Sequence, residues 1–96
     1  MSIATTGSTN GFFVDQEALS TSAEELLPAR TQTYRTTIKN LDSSITVYVG
    51  HSDAVSSSNG MPLRAGESIS LYTTAAIYMI AASGTPTVAY TIERQN

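Results

Sequence analysis

The sequence predicts an all-β protein, a single small β-sandwich or jelly roll of about six to eight antiparallel strands with a flexible N-terminal arm. Three observations lead to this expectation. The 96 residues include 13 Ser and 14 Thr but only 13 charged side chains, and Thr favours the pleated strand because its branched side chain is stiff. Short stretches of alternating apolar and polar residues recur along the chain. Gly, Pro and Ser turns separate them at intervals of about ten residues, which is typical of sandwiches and barrels.

The chain has the length and composition of one globular domain. Hydrophobic residues make up 41% of the chain, which is enough to form a core. Charged residues make up 14%, which is too few for a disordered chain. Residues 1–11 are mostly small or polar and are predicted to be a flexible arm. Residues 12–96 are predicted to form the β-sandwich domain, since no linker or repeat divides them.

Apolar alternation places the strands. Residues 11–15 are expected to open the fold. In two later strands the residues expected to face inward are Ile45, Val47 and Val49, and Ile69 and Leu71. In two others, one face is expected to carry Tyr34, Thr36 and Ile38, and Val88, Tyr90 and Ile92. Residues 75–82 form a nearly continuous apolar run, so both faces of that strand are expected to be covered. Residues 18–28 fit either a short capped helix or a strand before Pro28, and the strand is preferred for their hydroxyl-rich first half.

The predicted turns carry residues with local hydrogen-bonding or conformational roles. Residues 40–44 offer Asx and hydroxyl caps. Glu67 is placed to accept backbone N–H groups across a turn at Ala65 and Gly66. Four glycines fall at predicted strand ends, where glycine permits a positive φ angle: Gly50, Gly60, Gly66 and Gly84. Each of these roles is structural.

Charge and composition argue against several classes of function. The net charge is −3 and the five Lys and Arg side chains are scattered, so neither nucleic acid nor a membrane surface is an expected partner. The chain has no cysteine, which excludes a disulfide framework and thiolate chemistry. The first residues do not resemble a signal peptide, and no apolar run reaches bilayer-spanning length. A soluble protein made in a cytosol is expected.

No cofactor, metal or catalytic site is expected. His51, Ser52 and Asp53 are the residue types of a hydrolase triad, but they are adjacent in the chain and point in different directions. The acidic residues at 15–17 and 24–25 lack the spacing of a calcium loop. One His without Cys is a poor basis for a zinc site. The protein is therefore predicted not to be an enzyme.

Five short motifs occur in an order that resembles small virion proteins of tailed phages. They are Leu-Leu-Pro-Ala at 26–29, Ile-Lys-Asn at 38–40, Thr-Val-Tyr-Val-Gly at 46–50, Pro-Leu-Arg-Ala-Gly-Glu-Ser at 62–68 and Ala-Ile-Tyr-Met-Ile-Ala-Ala-Ser-Gly at 76–84. The resemblance covers about residues 18–94. It is to capsid cement or decoration proteins, and the same module also occurs in neck, tail-fibre and baseplate proteins. Residues 1–17 match nothing in this pattern.

This resemblance implies a β-sandwich or jelly-roll subunit, often a homotrimer, that sits on the phage capsid where capsomers meet. Its partner would be the major capsid protein or another virion protein, and its place the virion surface after synthesis in the host cytoplasm. An N-terminal strap, residues 1–17, would hold the subunit to a neighbour. The alternatives are a subunit of the neck, tail or fibre, and a host-surface module that binds carbohydrate. The resemblance implies no catalytic residues.

Six residues are candidates for a protein interface. Tyr48 and Tyr72 are opposite in phase to the inward-facing residues, so both should point outward, and exposed Tyr is enriched at interfaces. Met61 and Arg64 lie on the loop before the Ala-Gly turn, where a contact residue and a plain surface residue look alike. Phe12 and Phe13 lie at the start of the predicted domain. Tryptophan is absent, so a protein interface is preferred to a sugar site.

Overall fold

The computed structural model describes residues 12–94, which form eight β-strands and no helix. The strands are β1 (Phe12–Ala18), β2 (Glu24–Leu27), β3 (Tyr34–Asn40), β4 (Val47–Gly50), β5 (Met61–Leu63), β6 (Ser68–Thr73), β7 (Ile77–Ala81) and β8 (Thr87–Arg94). The expected all-β class is confirmed for this part of the chain. None of these residues belongs to a helix long and apolar enough to cross a membrane. The predicted arm, residues 1–11, lies outside the described residues.

The strands form two four-stranded sheets, and the pairings within them are antiparallel. Sheet A has the strand order β1-β8-β3-β6, and sheet B has the order β2-β7-β4-β5. Side chains from both sheets contribute to one hydrophobic cluster. β1 and β6 are the edge strands of sheet A, and β2 and β5 are those of sheet B.

The core follows the predicted alternation except at Ile45, which precedes β4 and is half-buried. In β3, Tyr34, Thr36 and Ile38 are fully buried, and in β8 Val88 and Tyr90 are buried. The other buried members of the cluster are Leu19, Leu27, Val47, Val49, Leu63, Ile77, Met79 and Ala81, while Leu26, Ile69, Leu71 and Ile92 pack against it partly buried. Each fully buried aliphatic side chain contributes roughly 1.5–3 kcal/mol, so this cluster is the main source of stability.

Two segments differ from their predictions. In β7, Ile77, Met79 and Ala81 are buried, but Tyr78 and Ile80 on the other face are only half-buried. The expectation that both faces of this strand are covered is therefore only half right, because no layer packs over the outer face of sheet B among the described residues. The preference for a strand in residues 18–28 is confirmed for β2 alone, since residues 20–23 form the bend between β1 and β2.

The corner after β3 has the turn chemistry that the sequence predicts. Asn40 is fully buried, and its side-chain amide donates to the carbonyls of Ile45 at 2.8 Å and Leu63 at 3.0 Å. Its Oδ1 accepts the N–H of Asp42 at 3.0 Å. Asp42 Oδ2 in turn accepts the N–H groups of Ser44 at 2.9 Å and Ile45 at 2.7 Å. These backbone bonds, that of Ser44 first, hold the pKa of Asp42 below its ordinary value.

Two of the four turn glycines have the positive φ angle that glycine permits. Positive φ angles occur at Gly66 (78°) and Gly84 (61°) and not at Gly50 or Gly60. A Cβ at Gly50 would lie 2.6 Å from Cγ2 of Val55, and one at Gly60 would lie 2.8 Å from the same atom. These two glycines are needed because the buried Val55 packs directly against their backbone, which is a packing constraint and not a conformational one.

Candidate functional site

The structure divides the six predicted interface residues between the two sheets. Phe12 and Phe13 lie on β1 and Tyr72 lies on β6, so these three belong to sheet A. Tyr48 and Met61 lie on β4 and β5 of sheet B, and Arg64 follows β5. Only Phe12 and Tyr72 fall into a single feature, a row of side chains across the outer face of sheet A.

This row, named here the Phe12–Tyr72 row, consists of directly opposed residues on four strands: Phe12, Glu93, Arg35 and Tyr72. At its centre, Nη1 of Arg35 lies 3.4 Å from Oε1 of Glu93. Cζ of Arg35 lies 5.9 Å from the ring centroid of Tyr72, within the range of a cation–π contact. The ion pair holds the centre of the row, and an exposed aromatic ring stands at each end, with Phe12 42% and Tyr72 64% exposed.

β1 is exposed along its whole length. All seven of its side chains are exposed, among them Phe13 at 55% and Val14 at 53%. Phe13, Asp15 and Glu17 lie opposite the core-facing residues of β8, yet nothing described from sheet B covers them. Burial first, then the negative charges of Asp15 and Glu17, raise the pKa of Tyr90. A strand of this kind is held by its backbone pairing to β8 and leaves apolar area on both faces.

The exposure of Val14 was not predicted, although the sequence contained a signal for it. Phe12, Phe13 and Val14 are three consecutive large apolar residues, and consecutive residues of a strand point to opposite faces. A strand with only one face on the core cannot bury all three. Such a run therefore indicates either a second covering layer or an exposed apolar surface, and the structure has the exposed surface.

The middle of the outer face of sheet A is polar, a feature that the sequence pattern did not predict. Oγ1 of Thr37 lies 2.8 Å from Oγ of Ser70, and the N–H of Thr37 donates to Oγ1 of Thr91 at 3.3 Å. The hydroxyls of Thr37, Ser70 and Thr91 therefore link β8, β3 and β6 on this face, between its apolar ends.

The outer face of sheet B carries a second, more apolar surface. Tyr48 lies opposite Ile80 of β7 and Pro62 of β5. As predicted, Tyr48 points away from the core. It is half-buried and not fully exposed, because these neighbours cover part of its side chain. On the next strand, the hydroxyl of Tyr78 lies 3.3 Å from Oε2 of Glu25. The negative charge of Glu25 is the main reason that the pKa of Tyr78 is raised.

Met61 and Arg64 do not join either surface. Met61 lies opposite the core residue Val49 but is 56% exposed, because β5 is the edge of sheet B. Arg64 begins a tight turn that two hydrogen bonds close. The N–H of Arg64 donates to Oε1 of Glu67 at 2.7 Å, and the N–H of Glu67 donates to the carbonyl of Arg64 at 2.9 Å. The predicted role of Glu67 is therefore confirmed, while the side chain of Arg64 is exposed.

Shallow cavities lie beside two loops of residues 12–94. One, of about 210 Å³, lies beside His51 in the loop that follows β4. In this loop Ser52 Oγ accepts the N–H of Ala54 at 3.2 Å, a local turn contact. The other, of about 290 Å³, lies between residues 30–34 and Ile92, where Cζ of Arg30 is 5.5 Å from the ring centroid of Tyr34. Within residues 12–94 no group of three or more metal-ligating side chains is close enough to hold an ion.

Comparison with known proteins gives a likeness of fold. No protein-family model and no curated protein matches the chain. The chain is similar to one in the solved structure of Bacillus endospore appendages, which are described as a novel family of disulfide-linked pili. The TM-score is 0.56 at 14% sequence identity, over 88% of this chain and 84% of the pilus chain. At this identity the likeness concerns the fold alone, and this chain has no cysteine with which to form a disulfide.

Proposed function

We propose that this chain is a structural subunit of a tailed-phage virion, a capsid cement or decoration protein that binds the major capsid protein. The motifs at residues 26–29, 38–40, 46–50, 62–68 and 76–84 are the basis for the phage assignment. The observation that carries a structural role is the exposed apolar surface of β1, with Phe12, Phe13 and Val14 between 42% and 55% exposed. Exposed apolar area of this kind marks surfaces that contact another protein.

The proposal includes a jelly-roll topology. Eight strands lie in two sheets with the orders β1-β8-β3-β6 and β2-β7-β4-β5, so that six of the seven connections pass from one sheet to the other and only β4–β5 stays within a sheet. Jelly rolls are double sheets of eight strands, so this strand order supports the proposed topology. The two sheets share one core, which supports a sandwich.

The mechanism is retention by several weak contacts. Three copies joined as a trimer would present three copies of the same surface to one site on the shell. Once the first copy has bound, the other two copies are held close to their own sites at a high effective concentration. The trimer is therefore retained more strongly than a single copy. Residues 12–17 of the proposed N-terminal strap, residues 1–17, pair with β8 of their own chain. The strap is therefore proposed for residues 1–11 alone.

A second candidate function is a subunit of a fibrous appendage. The likeness to the endospore pilus chain, at a TM-score of 0.56, favours this candidate, as does the open surface of β1. A subunit of the phage neck, tail or fibre uses the same kind of contact and remains within the first proposal. A host-surface carbohydrate module would use a concave site, for which the 290 Å³ cavity at residues 30–34 is the best placed.

The experiment that tests the proposal is localisation followed by a stability measurement. Antibodies against the chain, detected with gold in electron micrographs of the cells that encode it and of the particles they release, should label phage heads. Particles made without the chain should release their DNA at a lower temperature, and added purified protein should restore the wild-type value. Gold on tails would move the subunit to another part of the virion, whereas gold on filaments of uninfected cells would replace this proposal with the appendage.

A further inference from the structure

The two sheets differ in how their edge strands are protected against pairing with another chain. Sheet B ends in β2, which has four residues and a register shift, and in β5, which has three residues including Pro62. Sheet A ends in β1 and β6, which have seven and six residues, no proline and an unbroken register. Short length, bulges and proline are devices that block edge-to-edge pairing. Among the described residues, sheet A therefore has two open edges.

The backbone groups on the open edge of β1 follow from its pairing with β8. Leu19 continues the β1–β8 register opposite Pro86, and its N–H donates to the carbonyl of Pro86 at 2.8 Å. Successive residues of a strand direct their N–H and C=O groups to opposite sides. The odd-numbered residues of β1 therefore bond to β8, and the even-numbered residues face the open edge. Gln16 agrees, because its N–H donates to the Asp15 carboxylate at 2.8 Å.

The open edge of β6 follows in the same way. Asn40 lies opposite Glu67 in the β3–β6 register, and its N–H donates to the carbonyl of Glu67 at 2.9 Å. The odd-numbered residues of β6 therefore bond to β3, and the even-numbered ones, Ser68, Ser70 and Tyr72, face the open edge. Three antiparallel pairings separate β1 from β6, so the two strands run in opposite directions. A copy displaced sideways along the sheet thus presents β6 antiparallel to β1.

We propose that β1 of one copy pairs antiparallel with β6 of a second copy, so that sheet A continues from subunit to subunit. If the Phe12–Tyr72 row continues across this junction, the residues that face the two open edges lie directly opposite each other. The opposed pairs are Phe12 and Tyr72, Val14 and Ser70, and Gln16 and Ser68. On the inner face, Phe13 then lies against the half-buried Leu71. The junction covers the exposed aromatic rings at both ends of the row, as cross-strand aromatic and apolar pairs do within a sheet.

Charge makes β6 the better partner for β1. In a centred antiparallel pair of two β1 strands, Asp15 of one copy lies opposite Asp15 of the other, and like charges directly opposite each other destabilise a sheet. β6 has the sequence Ser-Ile-Ser-Leu-Tyr-Thr, with no charged residue. A β1–β6 junction within these two strands therefore avoids opposed carboxylates, and its contact surfaces differ on the two copies.

The biological meaning of this junction rests on the proposed function. A contact between two different surfaces is heterologous, and it closes into a ring or continues as an open filament. Closure after three copies gives the trimer proposed for the cement protein, and an open chain gives the appendage. The junction itself is a property of the purified protein. A monomeric protein that still labels phage heads would remove the junction and leave the proposed function intact.

Light scattering of the purified full chain over a range of concentrations tests the junction. Val14→Pro removes an N–H from the open edge of β1, and Ser70→Pro removes one from the open edge of β6, while both leave the backbone bonds within the sheet in place. Ser70→Pro also removes the hydroxyl that lies 2.8 Å from Oγ1 of Thr37. Ser57→Pro is the matched control, because Ser57 is the second residue of an exposed turn closed by the 3.3 Å bond from the N–H of Asn59 to the carbonyl of Ser56. Circular dichroism verifies that each variant is folded.

The expected result depends on the heterologous nature of the contact. The wild type and Ser57→Pro should exceed 10.2 kDa, and each edge variant alone should remain monomeric because every junction needs one β1 and one β6. A mixture of the two edge variants should form one junction and reach about twice 10.2 kDa. A wild type that is monomeric at all concentrations overturns the proposal, as does a Val14→Pro variant that still oligomerises or a mixture that stays monomeric.

Cysteine cross-linking tests the register independently, because the chain has no cysteine of its own. Opposed residues of an antiparallel pair have Cα atoms about 4.5–5.5 Å apart, which suits a disulfide. Mixed Phe12→Cys and Tyr72→Cys chains should therefore form a disulfide-linked dimer on oxidation. The control pair, Phe12→Cys and Ser68→Cys, is offset by four residues, about 14 Å, and should not cross-link. Equal cross-linking of both pairs would exclude the proposed register.

Discussion

β1 and β3 are strands of equal length on either side of β8, and they contrast in burial. Both have seven residues and pair antiparallel with β8 along their whole length. In β3 the core-facing residues are fully buried, whereas in β1 all seven side chains are exposed. The hydrogen-bonded ladder is thus similar, and the difference lies in whether sheet B covers the strand. β3 stabilises the fold through its side chains, whereas β1 is held in the sheet through its backbone pairing with β8.

The largest expected effect comes from truncating an equivalent aliphatic side chain in each strand. Ile38→Ala in β3 removes a fully buried side chain and should lower the free energy of unfolding by about 2–5 kcal/mol. Val14→Ala in β1 should change it by no more than about 0.5 kcal/mol in the monomer. Urea denaturation at low protein concentration measures both values.

A milder pair of variants keeps this comparison accessible if Ile38→Ala does not fold. Ile38→Val should cost about 0.5–1.5 kcal/mol, still more than Val14→Ala. Equal losses at the two positions would mean that β1 is buried in the free protein and does not differ from β3.

The next effect concerns the polar end of β3. Asn40→Ala removes the donors to the carbonyls of Ile45 and Leu63 and the acceptor for the N–H of Asp42. Buried groups left without a partner cost about 1–3 kcal/mol, and the free energy of unfolding should fall by that amount. Lys39→Ala, at an exposed neighbouring position, is the control and should stay within about 0.5 kcal/mol. An Asn40→Ala variant as stable as this control would show that the corner does not depend on the amide.

The course of β3, β6 and β8 could be predicted from the sequence because alternation is a local signal. One face of each strand packs on the core, so the alternation alone places Tyr34, Thr36 and Ile38 on the same face of the sheet. The short strand β5 was not predicted, because its three residues, which include Pro62, show no alternation. The roles of Gly50 and Gly60 were also not predicted, because the side chain that approaches them, Val55, is brought there by the folded loop.

The candidate surfaces were predictable only in part. Phase alone showed that Tyr48 and Tyr72 point away from the core, but not that Tyr48 is flanked by Ile80 and Pro62 while Tyr72 stands clear at an edge. That difference depends on strand order, which no local pattern encodes. The Phe12–Tyr72 row has the same origin, since its ends are 60 positions apart in the sequence and meet only through the pairings of β8 and β3.

A smaller effect is expected from the ion pair that joins β3 to β8 on the outer face. The Arg35 and Glu93 side chains are 42% and 43% exposed, and exposed pairs contribute about 0.2–1 kcal/mol. A double-mutant cycle with Arg35→Ala and Glu93→Ala should give a coupling energy in this range, smaller at high salt. A coupling energy unchanged by salt would show that the two side chains interact through packing and not through their charges.

The smallest effect is a pH dependence at the corner after β3, where Asp42 accepts the N–H groups of Ser44 and Ile45. These bonds lower the pKa of the folded Asp42 below its ordinary value of 3.8, so the unfolded chain takes up this proton first as the pH falls. The stabilisation is complete above pH 3.8 and is lost as the pH falls through the folded pKa. Wild-type stability should therefore decrease more steeply below that pH than the stability of Asp42→Asn, measured by urea denaturation, while Ser43→Ala should follow the wild type. Parallel curves for Asp42→Asn and wild type would mean that these bonds do not distinguish the folded from the unfolded carboxylate.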